Sequence, residues 1–253
     1  MASHSLHSVL PKAPLAPVDT EVVALYASIA ARGSLRVCIV LALFDLDNTL
    51  LAGDSDHAFG DYLAEIGWVD AKVHRQQNDA FYRDYQQGTL DIMAYSEFVL
   101  RPLVGRSSAE LKKLQQTYVR EVIEAMILPK AEALLKQHED DIRVIVTATN
   151  HFITQPIADR LGVSHLIATE GEKREGLFTG KVAGIPCFRE GKIKRVEQWK
   201  LSQGLGSLPS IFYSDSHNDL PLLLWADEAV AVDPDARLAE EAKQRNWRVV
   251  SLR

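Results

Sequence analysis

The sequence predicts an α/β fold, a mostly parallel sheet with helices on both faces, interrupted early by a helical insertion. Three observations carry this. Residues 37–44, VCIVLALF, form an unbroken apolar run of strand length, as expected of a strand buried on both faces. Residues 54–128 contain no convincing strand and repeat apolar residues at helical spacing. From Pro129 to the end, β-rich apolar segments alternate with helical ones, which implies parallel strands joined by helices that cover the sheet.

At 253 residues the chain can bury a full core, as one large domain or as a core with a smaller insertion. Its 47% hydrophobic and 25% charged content is that of an ordinary globular protein. A net charge of −6, with no Lys/Arg stripe interleaved with aromatics, argues against a nucleic-acid partner. No apolar run approaches the roughly 20 residues of a membrane span, so no membrane partner is expected. Cys38 and Cys187 lack metal-ligand spacing and fit a reduced pair, which makes a cytoplasmic location the expectation.

Residues 1–36 read as a poorly ordered N-terminal extension containing Pro11, Pro14 and Pro17; Asp19 and Thr20 are positioned to cap a short helix before Gly33. The stretch has no basic start followed by an apolar core, so it does not match a secretory signal. Within 54–128, Phe59, Leu63 and Ile66, then Ile92, Tyr95, Phe98 and Val99, mark helical faces punctuated by Gly67, Gly88 and Gly105, which predicts about four helices. Pro129 suits the first turn of a helix to about Glu139, and IRVIVT (142–147) the second strand. A helix over about 152–161, a short strand near 166–169 and a Gly-rich hairpin up to Gly184 follow. The remainder predicts a helix over about 191–204, a strand at 210–214, a helix over 218–225, a strand at 229–232, and a last helix and strand.

Ligands of such sheets bind beyond the carboxyl ends of the strands, so those ends are the places to look for chemistry. The first strand ends in Asp45 and Asp47, the second in Thr147 and Asn150, and a later one in Asp215, Ser216, His217, Asn218 and Asp219; Lys192 opens the intervening helix. Four carboxylates, a hydroxyl and an ammonium therefore share one edge. Crowded carboxylates repel unless a cation neutralises them, and an oxygen-only set suits Mg²⁺.

The ordered set DLDNT (45–49), a Thr ending a second strand, a downstream Lys and DSHND (215–219) resembles the haloacid dehalogenase superfamily of phosphohydrolases. The insertion directly after the first motif is similar to the C1 cap of its phosphoserine-phosphatase-like branch, subfamily IB. Each motif alone is weak; their order and strand-end placement together are specific. The likeness covers 37–253 and implies a Rossmann-like core of residues 37–53 and 129–253 with a helical cap at 54–128. It further implies Mg²⁺-dependent hydrolysis of a small phosphomonoester through an aspartyl-phosphate. Carried onto this chain, Asp45 is the nucleophile and Asp47 the proton donor and acceptor. Asp45, the Asp47 carbonyl and Asp215 hold the metal, Thr147 and Lys192 hold phosphoryl oxygens with Asn150 near them, and Asp219 and Asn218 support from behind. Lys194 rivals Lys192.

Asp54 stands where phosphoserine phosphatases carry a Glu that reads the substrate amine, so a cationic substrate group is expected. Their cap signature, with its Arg for a carboxylate, is missing from 54–128, and Arg101 before Pro102 is the candidate left. In this the chain more closely resembles a bacterial relative of that branch, some of whose members act as histidinol-phosphate phosphatases, and the resemblance implies histidinol phosphate, with phosphoserine the other substrate considered. Phosphotransfer to a second alcohol and a non-catalytic binding module are the competing functions.

Each residue also has a plainer reading. Asp45 and Asp47 can serve a turn before a helix, Thr147 can end a strand, Lys192 and Lys194 can be a solvated face, and Asp215 and Asp219 can cap a helix. His217 and His57 are read as polar positions outside the chemistry, Asp233 as a strand terminator, and Tyr82, Tyr85, Tyr95 and Phe98 as insertion core.

Overall fold

Leu41–Phe44 forms β1, buried throughout, and pairs in parallel with β2 (Ile142–Asn150) on one side and β5 (Ser210–Ser214) on the other. The structure, a computed structural model, describes residues 39–253; the predicted extension 1–36, its capping pair, the start of the first strand and Cys38 lie outside the described residues. The sheet has seven strands in the order β4-β3-β2-β1-β5-β6-β7, with β3 His165–Arg174, β4 Leu177–Ala183, β6 Glu228–Val232 and β7 Arg248–Val250. All pairs are parallel except β3–β4, which is the expected hairpin. Strand order runs outward in opposite directions from β1 and β5, so a crevice opens beyond their carboxyl ends.

Between β1 and Pro129 lie four main helices: α1 Ser55–Glu65, α2 Ala71–Gln87, α3 Ile92–Leu100 and α4 Ser108–Tyr118. Each starts where a short polar side chain satisfies otherwise unpaired N–H groups. Asp54, Asp70 and Asp91 cap the first three, and Ser107 with Glu110 forms a capping box on α4. Gly88 ends α2 at φ 76°. At Gly60 a Cβ would stand 2.5 Å from the Asn78 side chain, so glycine lets α1 and α2 pack closely. After α4 the chain takes a π-helical turn, Val119–Ile123, which the sequence pattern does not predict. It leaves and re-enters the core side by side, through a bridge between Leu51 and Ile127.

Five further helices complete the layers: α5 Pro129–Gln137, α6 His151–Arg160, α7 Glu190–Gln203, α8 Leu220–Trp225 and α9 Ala236–Arg245. Strand β2 runs three residues past its expected end, to Asn150, with a register irregularity between Val146 and Asn150 that re-aims Thr147 to Thr149. The helix expected from Asn218 opens instead as a 3₁₀ turn, His217–Asp219.

Candidate active site

Asp45 is the first residue after β1, held by its N–H to the Tyr213 carbonyl at 2.9 Å, so its carboxylate projects from the sheet's carboxyl edge. Lys192, in the first turn of α7 and 2% exposed, donates to Asp45 Oδ1 at 2.8 Å and to Asp219 Oδ2 at 2.7 Å. Ser214 Oγ donates to the same Asp219 oxygen at 2.8 Å. The Thr49 hydroxyl lies 3.3 Å from Asp45 Oδ2 and 3.1 Å from Asp215 Oδ1, and accepts the Asp215 N–H at 3.1 Å. Lys194 is exposed, so Lys192 is the lysine brought to the nucleophile candidate.

Asp47, two residues on, accepts the Ser55 N–H on Oδ1 at 2.6 Å and the Thr149 hydroxyl on Oδ2 at 2.7 Å. It thus also steadies the start of α1. Asp54 caps α1 through the Asp56 and His57 N–H groups at 2.9 and 2.8 Å. Thr147 is 1% exposed, and its Oγ1 accepts the Thr149 N–H at 3.2 Å. Asp215 and Asp219 are not helix caps: Ser216 Oγ caps the 3₁₀ turn by accepting the Asn218 N–H at 3.2 Å, while the two carboxylates turn to Thr49 and Lys192.

A cleft opens over these groups. Asp45, Asp47, Thr147, Lys192, Asn218 and Asp219 form its floor, and the insertion supplies Asp54, Asp56, Phe81, Tyr82, Tyr85 and Tyr95 as the facing wall. Tyr82 and Tyr85 are therefore cleft wall rather than insertion core, whereas Tyr95 does both, lining the cleft and packing on Phe81 and Phe98 with centroids 5.3 and 6.5 Å apart. Phe98 keeps the expected role, stacked on His74 at 4.4 Å.

Two predicted residues stay out. Arg101 is exposed in a 3₁₀ turn beside β4 and does not line the cleft, because that turn faces Gly180. Asn150 is buried as the cap of α6, its amide oxygen accepting the Ile153 N–H at 3.2 Å while its Nδ2 has no hydrogen-bond partner, and it does not line the cleft. His57 pairs with Asp79 at 3.1 Å and His217 with Asp235 at 2.7 Å; neither lines the cleft. Asp233 follows the last residue of β6, as a strand terminator should.

Sequence reasoning missed Arg189, Asp56 and the hydroxyl partners Thr49 and Thr149. Arg189, at φ 49°, donates to Asn218 Oδ1 at 2.9 Å and to the Gly88 carbonyl at 2.5 Å, while Asn218 Nδ2 donates to the Tyr85 carbonyl at 3.2 Å. Tyr85 Oη donates to Ser216 Oγ at 3.1 Å. These bonds tie the end of α2 to the core across the cleft mouth.

The electrostatics follow from packing six carboxylates around one ammonium. Burial, opposed by Lys192 and reinforced by Asp219 and Asp47, pushes the Asp45 carboxyl up to about 7. Burial and the Asp54 charge push Asp47 up to about 6 against the Ser55 and Thr149 hydrogen bonds. Asp215 is raised well above the usual range by burial and by Asp45 and Asp219. Burial works against the Lys192 ammonium, but the Asp219 and Asp45 charges overcome it and raise its pKa. Among the described residues no group of three or more His, Cys, Asp or Glu side chains is arranged to hold a metal ion. Carboxylate oxygens of the kind gathered here suit Mg²⁺, which takes a few carboxylates and keeps several waters.

The family model for haloacid dehalogenase-like hydrolases matches residues 42–224. A histidinol-phosphatase of Neisseria meningitidis serogroup C (strain 8013) is 43% identical over 219 residues, 84% of this chain and 99% of that protein. A phosphoserine phosphatase of Mycobacterium tuberculosis (strain ATCC 25618 / H37Rv) is 32% identical over 252 residues, 96% of this chain and 82% of that one. Among solved structures, a protein of unknown function from Bordetella pertussis Tohama I aligns with TM-score 0.79 and 41% identity over 86% of this chain and all of that one. A phosphoserine phosphatase solved as a phospho-aspartyl intermediate analogue aligns at TM-score 0.62 and 16% identity, over 85% of this chain and 94% of that one, a likeness of fold alone. No helix among the described residues is long and apolar enough to cross a membrane. The chain belongs to the haloacid dehalogenase-like hydrolase family and is a phosphatase of that family.

Proposed function

We propose that this phosphatase hydrolyses a small phosphomonoester with Asp45 as nucleophile, 54–128 acting as a cap over a core of 37–53 and 129–253. The observation that carries the reading is the buried Asp45 carboxylate in the cleft, 2.8 Å from the Lys192 ammonium, with Asp47 beside it. Asp45 attacks phosphorus, the ester P–O bond breaks, and Asp47 gives its proton to the departing alcohol. Asp47 then takes a proton from water as that water attacks phosphorus, the P–O bond to Asp45 breaks, and phosphate leaves. A carboxyl raised to about 6 suits both halves of that duty. Lys192 and Thr147 hold phosphoryl oxygens, since a loose transition state is stabilised mainly by position and charge.

Asp45, the Asp47 carbonyl and Asp215 would hold Mg²⁺, with Asp219 behind them. The chemistry such an ion supplies is charge neutralisation, which lets the phosphate dianion approach these carboxylates.

Of the two substrates, histidinol phosphate fits better than phosphoserine. Among the described residues Lys192 is the sole basic side chain lining the cleft, and it is already engaged by Asp45 and Asp219. A substrate carboxylate would meet acidic residues and no clamp, whereas a cationic group would meet Asp54. The similarity to a histidinol-phosphatase supports the same choice.

Phosphate release from an aryl phosphate, with Mg²⁺ and with EDTA, tests the reading. Asp45→Asn should lower the rate by about 10⁴-fold or more; full activity would remove Asp45 from its role. Equal rates of alcohol and phosphate release separate hydrolysis from transfer to a second alcohol.

A further inference from the structure

The Asp56 carboxylate has no task in the reaction above. It lies in the first turn of α1, is 5% exposed, and lines the cleft. Tyr95 hydrogen-bonds to it, yet its Oδ1 has no hydrogen-bond partner. The charges that act on it, Asp54 and Asp47, are both negative, and burial adds to their effect in holding its carboxyl well above the usual range. A buried carboxylate without a cation is costly, and an unmade hydrogen bond adds to that cost. The rings of Phe81, Tyr82 and Tyr95 line the same cleft, and their faces also attract positive charge. Phe81 and Tyr95 lie 5.3 Å apart between centroids. An N–H-bearing cation satisfies the free oxygen, the net negative charge and the aromatic wall together; a neutral alcohol satisfies only the first.

We propose that Asp56 determines specificity, its free carboxylate oxygen receiving a cationic N–H group, an imidazolium or a primary ammonium, carried by the alcohol part of the substrate. This rests on the phosphomonoesterase reading, adds a residue to the Asp54 position expected from the motif, and places recognition on the α1–α3 wall, opposite the phosphate-holding floor.

The test compares histidinol phosphate, phosphoethanolamine and 4-nitrophenyl phosphate in the wild type and in Asp56→Asn. The ratio of kcat/KM for a cationic ester to that for the neutral aryl ester should fall roughly 10- to 100-fold in the variant, the worth of one charge-assisted hydrogen bond. Loss with histidinol phosphate alone assigns the oxygen to the imidazolium, and loss with both esters to the ammonium. An unchanged ratio would overturn the proposal. Calorimetric titration with histidinol and with glycerol reads the subsite without turnover: the wild type should bind histidinol the more tightly, and Asp56→Asn should weaken that binding by a similar factor. Should the variant fail to fold, the wild-type comparison decides, and equal affinity for the two alcohols would sink the proposal. Histidinol binding without hydrolysis of any ester would instead sink the phosphatase mechanism and leave the subsite standing.

Discussion

The floor of the cleft and its helical wall are both acidic, but their charges are managed differently. On the floor each carboxylate has a fixed partner: Asp45 and Asp219 share Lys192 and Asp47 takes Ser55 and Thr149, while Asp215, outside the cleft lining, is joined to Asp45 through Thr49. On the wall Asp54 is used by its own helix, Asp56 keeps an oxygen free, and the rest is aromatic. Fully paired charges fix geometry, as a reaction needs. A free carboxylate oxygen in an aromatic setting leaves room for the substrate to supply the missing partner. On the proposed reading, chemistry belongs to the sheet edge and selectivity to the insertion, a division that substitutions on either side can break.

The largest effect is expected from Lys192→Met, which strips the floor of the ammonium that pairs with Asp45 and Asp219. Phosphate release should fall about 10³-fold, because the phosphoryl charge loses its donor. The fold should lose roughly 3–5 kcal/mol, because Asp45 and Asp219 are left buried and unpaired. Urea denaturation and aryl phosphate turnover check the two parts. Activity within tenfold of wild type would show that the floor does not depend on its ion triad.

Next, Asp47→Asn should cost about 10²–10⁴-fold on alkyl phosphates, whose leaving groups need a proton, and much less on 4-nitrophenyl phosphate. Equal losses on both would remove Asp47 from proton transfer and leave it a support for α1.

Smaller still is a pH effect on stability. Raised native carboxyl values mean that the folded chain binds more protons than the unfolded one between about pH 4 and 7. Stability without divalent cations therefore falls as pH rises through that window, as Asp47 titrates near 6 and Asp45 near 7. Mg²⁺ should raise the Tm of EDTA-stripped protein by more at pH 7.5 than at pH 5. Equal shifts at the two values would separate the carboxylates from the metal.

Much of the floor was legible because parallel strands deliver their ends to one edge, so Asp45, Asp47, Thr147 and Asp215 could be located from strand pattern alone. The wall was less legible. Helical spacing puts Tyr82 and Tyr85 on one side of α2 but does not say whether that side meets the core or the cleft. Tyr85 meets Ser216 across 131 positions, and Arg189 meets Gly88 across 101, contacts that only the closed topology creates. Asp56 reads as an ordinary first-turn acid until burial removes its partners. Asn150 and Arg101 lie outside the cleft lining, the one as a helix cap and the other in an exposed turn, placements that residue type alone does not reveal.

The smallest effect is expected at Lys194, and it bears on how sharply the floor is defined. It sits two residues beyond Lys192 on α7, about 200° around the helix axis, so packing one against the sheet edge turns the other to solvent. Lys192 is buried and makes both ion pairs; Lys194 is exposed. Lys194→Ala should change kcat/KM less than about twofold and stability by no more than about 0.5 kcal/mol, as for surface substitutions generally. A tenfold loss would mean that α7 turns on substrate binding to exchange its lysines, and the floor would then be as adaptable as the wall.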